Sequence, residues 1–113
     1  MTDDLPGRAW PRPTAQVQPY VDALGIEDAI EFLLAFGGAG LYIAADPKGR
    51  GQVEAMFGPD KARALAAEAH RLPIRVPLAK PWLARCLAAR GASAATIART
   101  LRTTDVTVRK WLG

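Results

Sequence analysis

The stretch ASAATIARTLRTTDVTVRKWLG, Ala92 to Gly113, decides how this chain is to be read. Ile97, Ala98 and Leu101 recur at helical spacing, and after a polar interruption Val108 and Trp111 do so again. Ser93 stands where an N-cap accepts a free amide of a helix running from about Ala94 to Leu101. Arg102 and Thr103 make a turn. Thr104 then caps a last helix that buries Val108 and Trp111 and exposes Asp105, Thr107, Arg109 and Lys110. Two short helices with the small Ala98 at their crossing and a tight turn between them form a helix-turn-helix.

The polar residues which that pattern leaves outside suit duplex DNA. Arg109 offers two parallel hydrogen bonds to guanine, Lys110 and Arg99 reach phosphate, and Thr104 and Thr107 touch phosphate or a thymine methyl. Ser93, Arg102 and Thr103, at the helix start and in the turn, complete the expected DNA-contacting set. Asp105 repels phosphate, but its place suits a hydrogen bond from cytosine or the dipole of the helix it begins. Arg102 occupies the turn position that glycine, cheap in the left-handed conformation, often fills. A side chain there costs roughly 1 kcal/mol, so either the turn has another shape or the guanidinium compensates by contacting phosphate.

The rest of region 79–113 fits this reading. Pro81 belongs in the first turn of a helix, Leu83, Cys86 and Leu87 form its inner face, and Gly91 ends it. Cys86 is the single cysteine and reads as a small buried apolar residue, with no ligand cluster around it. Charge points the same way. Residues 71–113 hold nine basic side chains against Asp105 alone, a net +8, whereas residues 1–70 carry a net −4. A basic block joined to an acidic one suggests that the C-terminal part faces a polyanion and the N-terminal part does something else.

Region 19–78 shows an internal repeat. At an offset of 33, LGIEDAIEFLLAFGGAGLYIA (Leu24 to Ala44) lies over FGPDKARALAAEAHRLPIRVP (Phe57 to Pro77). Each copy reads as a helix and then a short strand, opened by Gly25 or Gly58, with Gly37 and Gly38 stopping the first helix. The sequence between the copies, AADPKGRGQ, reads as a loop. Two short strands are marginal alone, and strand edges readily add another chain. The strands either pair with each other and pack on helices as the internal αβ core of a monomer or pair across a subunit boundary, and on the second reading Leu41, Tyr42, Ile43, Ile74 and Val76 are the expected dimerisation residues. Residues 1–18 contain three prolines and no sustained period, which predicts a mobile, partly extended tail in which Trp10 either docks on the body or on a partner or is a loosely packed surface aromatic.

Other classes fit poorly. At 113 residues, half of them apolar, the chain supports one compact domain or two very small modules and is not mostly disordered. No apolar run approaches the ~20 residues of a membrane span, and MTDDLPGRAWPRPT lacks a signal-peptide core, so a cytoplasmic protein is expected. The glycines of FGGAGLYIA follow a helix and open a strand, the reverse of a dinucleotide fingerprint, and the loop glycines lack a GK[ST] motif. Glu27, Asp28 and Glu31 cluster at a helix start, where capping explains them, and His70 sits in a last turn. No catalytic set can be assembled, so the expectation is a non-enzyme without cofactor or metal.

FGGAGLYIA, preceded by LGIEDAIEFLLA and followed at a distance by the helix-turn-helix, resembles the middle operon regulator (Mor) family of transcription activators from Mu-like phages. The resemblance runs from about Tyr20 to the end. It implies a dimer that binds dyad-symmetric promoter DNA and recruits RNA polymerase, with Leu41, Tyr42 and Ile43 in the dimerisation strand and Thr104 to Lys110 in the recognition helix. Ala44 replaces the family's proline, and Arg102 the turn glycine.

The expected fold is thus mainly α with short β-strands: an N-terminal helix-strand repeat for dimerisation, then a C-terminal helix-turn-helix. In the first functional reading a dimeric regulator sets two recognition helices about 34 Å apart in successive major grooves, while the acidic half contacts polymerase. In the alternative, an adaptor presents its basic helices to an acidic protein partner and reads no specific DNA.

Overall fold

A computed structural model describes residues 10–40, 47–73 and 75–113. The chain divides into two units: Ala15–Leu78, and the N-terminal residues up to Thr14 together with Ala79–Gly113. Both are helical.

In the first unit, α1 (Gln18–Leu24) and α2 (Ile26–Phe36) meet at Gly25, and α3 (Pro47–Phe57) and α4 (Pro59–Ala67) meet at Gly58. The two glycines hold nearly the same backbone, φ 83° and ψ 162° at Gly25 and φ 92° and ψ 165° at Gly58. Only glycine adopts that conformation cheaply, so each is the point at which one helix can end and the next begin in a new direction. Glu27, Asp28 and Asp60 lie in the first turns of α2 and α4, where the helix dipole favours a carboxylate. The Lys61 ammonium pairs with Asp28 and donates to the Leu24 carbonyl at 2.9 Å, tying α4 to the α1–α2 corner. Phe32 is the centre of the core: its ring lies 5.3 Å from Tyr20, 5.0 Å from Phe36 and 6.4 Å from Phe57. Val17, Leu24, Ile30, Leu33, Val53 and Leu65 of the same unit are also buried.

The expected helix-strand repeat is corrected here. The helix half of each copy is present as α2 and α4, but the described residues form no strand. Gly40 and Arg75 make an isolated antiparallel bridge, flanked by hydrogen bonds from Gly38 N–H to Val76 O and from Val76 N–H to Ala39 O. Pro73 and Pro77 bracket this segment and supply no N–H to extend a ladder. Leu41, Tyr42, Ile43 and Ile74 lie outside the described residues. A second correction concerns the loop expected between the copies, most of which is α3. Gly49 and Gly51 disfavour helix, yet Val53 is fully buried and Phe57, four residues on, reaches Phe32. Burial of that stripe outweighs a propensity penalty of about 1 kcal/mol per glycine.

In the second unit, α5 (Lys80–Ala89) packs against α6 (Ala94–Leu101) and α7 (Asp105–Leu112), which also pack on each other. Pro81 lies in the first turn of α5, and Trp82, Leu83, Ala84, Cys86 and Leu87 are buried. Ile97, Ala98, Leu101 and Val108 complete this core. Trp82 is its largest side chain, and its indole N–H donates to the Pro11 carbonyl at 3.3 Å. Of the stretch read as a mobile tail, residues 1–9 lie outside the described residues, Pro11 is held by that bond, and Val17 is fully buried at the N-cap of α1. Among the described residues no helix is long and apolar enough to cross a membrane.

Candidate nucleic-acid interface

The surface built by α6, α7 and their connection starts from two side-chain caps. Ser93 Oγ accepts from Thr96 N–H at 3.2 Å, and Thr104 Oγ1 accepts from Thr107 N–H at 3.1 Å. Each cap hydroxyl also reaches the hydroxyl of the residue it caps, at 3.1 Å for Ser93–Thr96 and 3.0 Å for Thr104–Thr107. Such caps start helices of eight residues that would be marginal alone. They also commit Ser93, Thr104 and Thr107, all expected to face DNA, to holding the helix ends first.

The connection Arg102–Thr104 is tight because Arg102 is left-handed, at φ 58° and ψ 54°. Thr103 N–H closes the end of α6 on the Ala98 carbonyl at 2.9 Å. Of the two shapes open to the sequence, the turn takes the one glycine would favour, with an arginine in it and its side chain exposed. A residue held in that conformation stores strain of order 1 kcal/mol.

On α7 the inward and outward faces separate around Val108, which is fully buried. Val106, Arg109 and Lys110 are exposed, and Asp105 and Thr107 are half-buried. Arg109 Nη1 lies 2.9 Å from Asp105 Oδ2, one turn back. The carboxylate at the helix start therefore serves both the dipole and this pair. Arg99 is exposed on α6 and donates to Thr96 Oγ1 at 3.3 Å. Trp111, expected inside, is only half-buried, and its carbonyl accepts from Arg85 Nε of α5 at 3.2 Å. Arg85 thereby places a cation at the C-terminal end of α7, where the dipole favours it.

The unit thus carries Arg99, Arg102, Arg109 and Lys110 outward on α6, α7 and the turn, with Asp105 as their acid. Sequence reasoning missed Val106, which is 58% exposed. Residues two apart on a helix point roughly 200° away from each other, so once Val108 is inside, Val106 must face out. That signal was present in the sequence.

Of the residues expected to dimerise, Val76 is buried, only 2% exposed. A pocket of 540 Å³ lies in the second unit, lined by Trp10, Pro11, Arg85, Ala88, Ala89 and Leu112. It gathers no carboxylate, nucleophile or histidine. Among the described residues no three His, Cys, Asp or Glu side chains are grouped to hold a metal ion. Burial pushes the Cys86 thiol up to about 12, which keeps it protonated and unreactive. No family model, curated protein or solved structure matches this chain.

Proposed function

We propose that the chain is a sequence-specific DNA-binding transcriptional regulator in which α7 enters the major groove and α6 and the turn lie along the phosphate backbone. The observation that carries this reading is the outward set Arg102, Arg109 and Lys110, held by two capped helices that close on the buried Ile97, Leu101 and Val108. Rigid helices present side chains to base edges at low entropic cost, and cations supply most of the affinity. The proposal includes a dimer on dyad-symmetric promoter DNA and recruitment of RNA polymerase, in the manner of the middle operon regulators that the sequence resembles.

The ion pair between Arg109 and Asp105 bears on the mechanism. An exposed pair of this spacing is worth about 0.3–0.5 kcal/mol, whereas a bidentate contact to guanine discriminates by about 1–3 kcal/mol. Exchange of the carboxylate for a guanine edge is therefore favourable, and Asp105 holds Arg109 extended along α7 until then. Arg109→Ala should weaken binding to the selected site by about 1–3 kcal/mol and relax its specificity, while Lys110→Ala should weaken all duplexes alike.

The experiment that tests the reading is selection of bound sequences from a random duplex pool at near-physiological salt, with the mass in solution measured alongside. Enrichment of inverted half-sites together with a dimer mass is the expected result. A folded protein that enriches no sequence would overturn it in favour of an adaptor for an acidic protein partner.

A further inference from the structure

Val106 is the most exposed large apolar side chain among the described residues. Single apolar residues on a surface are ordinary and by themselves call for no explanation. Three observations set this one apart. It lies on the outward face of α7 between Arg109 and Lys110, three and four residues on, so it is the apolar centre of a cationic stripe. It is β-branched in an exposed helical position, where alanine, lysine or glutamate would form helix more readily. It follows directly on the capped, left-handed turn, in the first turn of a helix whose opposite face is closed by Val108. The stripe matches a polyanion in charge, and duplex DNA offers one apolar group on its major-groove edge, the C5-methyl of thymine.

We infer that Val106 determines specificity by packing its isopropyl group against the C5-methyl of a thymine in the major groove. This rests on the DNA-binding reading above and goes beyond it in naming the base and the atom. Arg109 and Lys110 on either side hold the helix at the depth at which an aliphatic side chain meets that methyl group. Cytosine at the same position presents no methyl and adds an amino donor that valine cannot satisfy.

The test uses the full chain and the duplex obtained by selection, with deoxyuridine replacing one thymine at a time, which deletes the methyl group and nothing else. Wild-type protein is expected to lose about three- to fivefold in affinity at one thymine of each half-site, the effect of one buried methyl-sized group. Val106→Ala should bind the thymine duplex with that same loss and be indifferent to deoxyuridine there. The variant shortens a mostly exposed side chain and substitutes a stronger helix former, so its thermal midpoint should equal or exceed that of the wild type. A wild type indifferent to every methyl group overturns the inference, as does a Val106→Ala protein that senses the same methyl as strongly; both leave the DNA-binding reading standing. Failure to select any sequence overturns the two together.

Discussion

Arg102 is where stability and function pull in opposite directions. Its left-handed backbone is paid for in strain, and its exposed guanidinium gives nothing back to the fold. Arg102→Gly should raise the free energy of unfolding by about 1 kcal/mol, read from urea denaturation. The same variant should bind selected and random duplexes more weakly by equal factors and flatten the salt dependence by about one phosphate contact. A loss confined to the selected duplex would mean that Arg102 reads a base. That Arg102 stands where glycine often fills such a turn was legible in the sequence, which left two turn shapes open. Which of the two forms was not legible, since that depends on how α6 and α7 pack.

At the scale of elements, α6 and α7 were legible almost to the residue, and α3 was not. Ser93 and Thr104 are local signals that act within three residues, and they mark the helix starts wherever the chain goes. In α3 the local signal is wrong: two glycines and a proline indicate a loop, and the helix forms because Val53 and Phe57 find α4 and Phe32. Val53→Ala should accordingly destabilise the first unit by about 2 kcal/mol, since it removes fully buried methyl groups from a helix with little propensity of its own. Met56→Ala, on the exposed side of the same helix, should stay within about 0.5 kcal/mol. Equal effects of the two variants by chemical denaturation would contradict the burial argument. Of the expected strand residues, Arg75 and Val76 are described, and there a single bridge to Gly40 stands in place of a ladder, Pro73 and Pro77 having no N–H to donate.

For the whole molecule the two units can be followed separately, because Trp10, Trp82 and Trp111 all belong to the second. Each unit also buries a group that is neutral only when protonated. Burial pushes Cys86 up to about 12 from 9.0, with Arg90 opposing it, and Tyr20 up to about 12 from 10.0. Both folded values lie above the unfolded ones. The stability they contribute is therefore complete below pH 9.0 for Cys86 and pH 10.0 for Tyr20, and it is lost as pH rises toward about 12. Tryptophan fluorescence should report loss of the second unit from about pH 9 upward, and Cys86→Ala should move that onset to higher pH. Far-ultraviolet circular dichroism should retain a later component from the unit of Tyr20. An onset that Cys86→Ala leaves unchanged would exclude the thiol as the titrating group.

The sequence by itself determined what is local: the starts of α6 and α7 from their caps, the place of the turn between them at Arg102, the outward place of Arg109 and Lys110, and the concentration of positive charge toward the C-terminus. Val106 was determined too, by its spacing from Val108. What only the tertiary structure decided is what depends on residues far apart in the chain. Phe57 reaches Phe32 and makes a helix of a glycine-bearing stretch, and Trp82 reaches back 71 residues to hold Pro11. Val76 turns inward, although its sequence neighbourhood reads as an edge. The free energy of these choices comes from burying apolar surface, which is set by whatever the folded chain brings alongside and leaves no mark on the residues nearby in sequence.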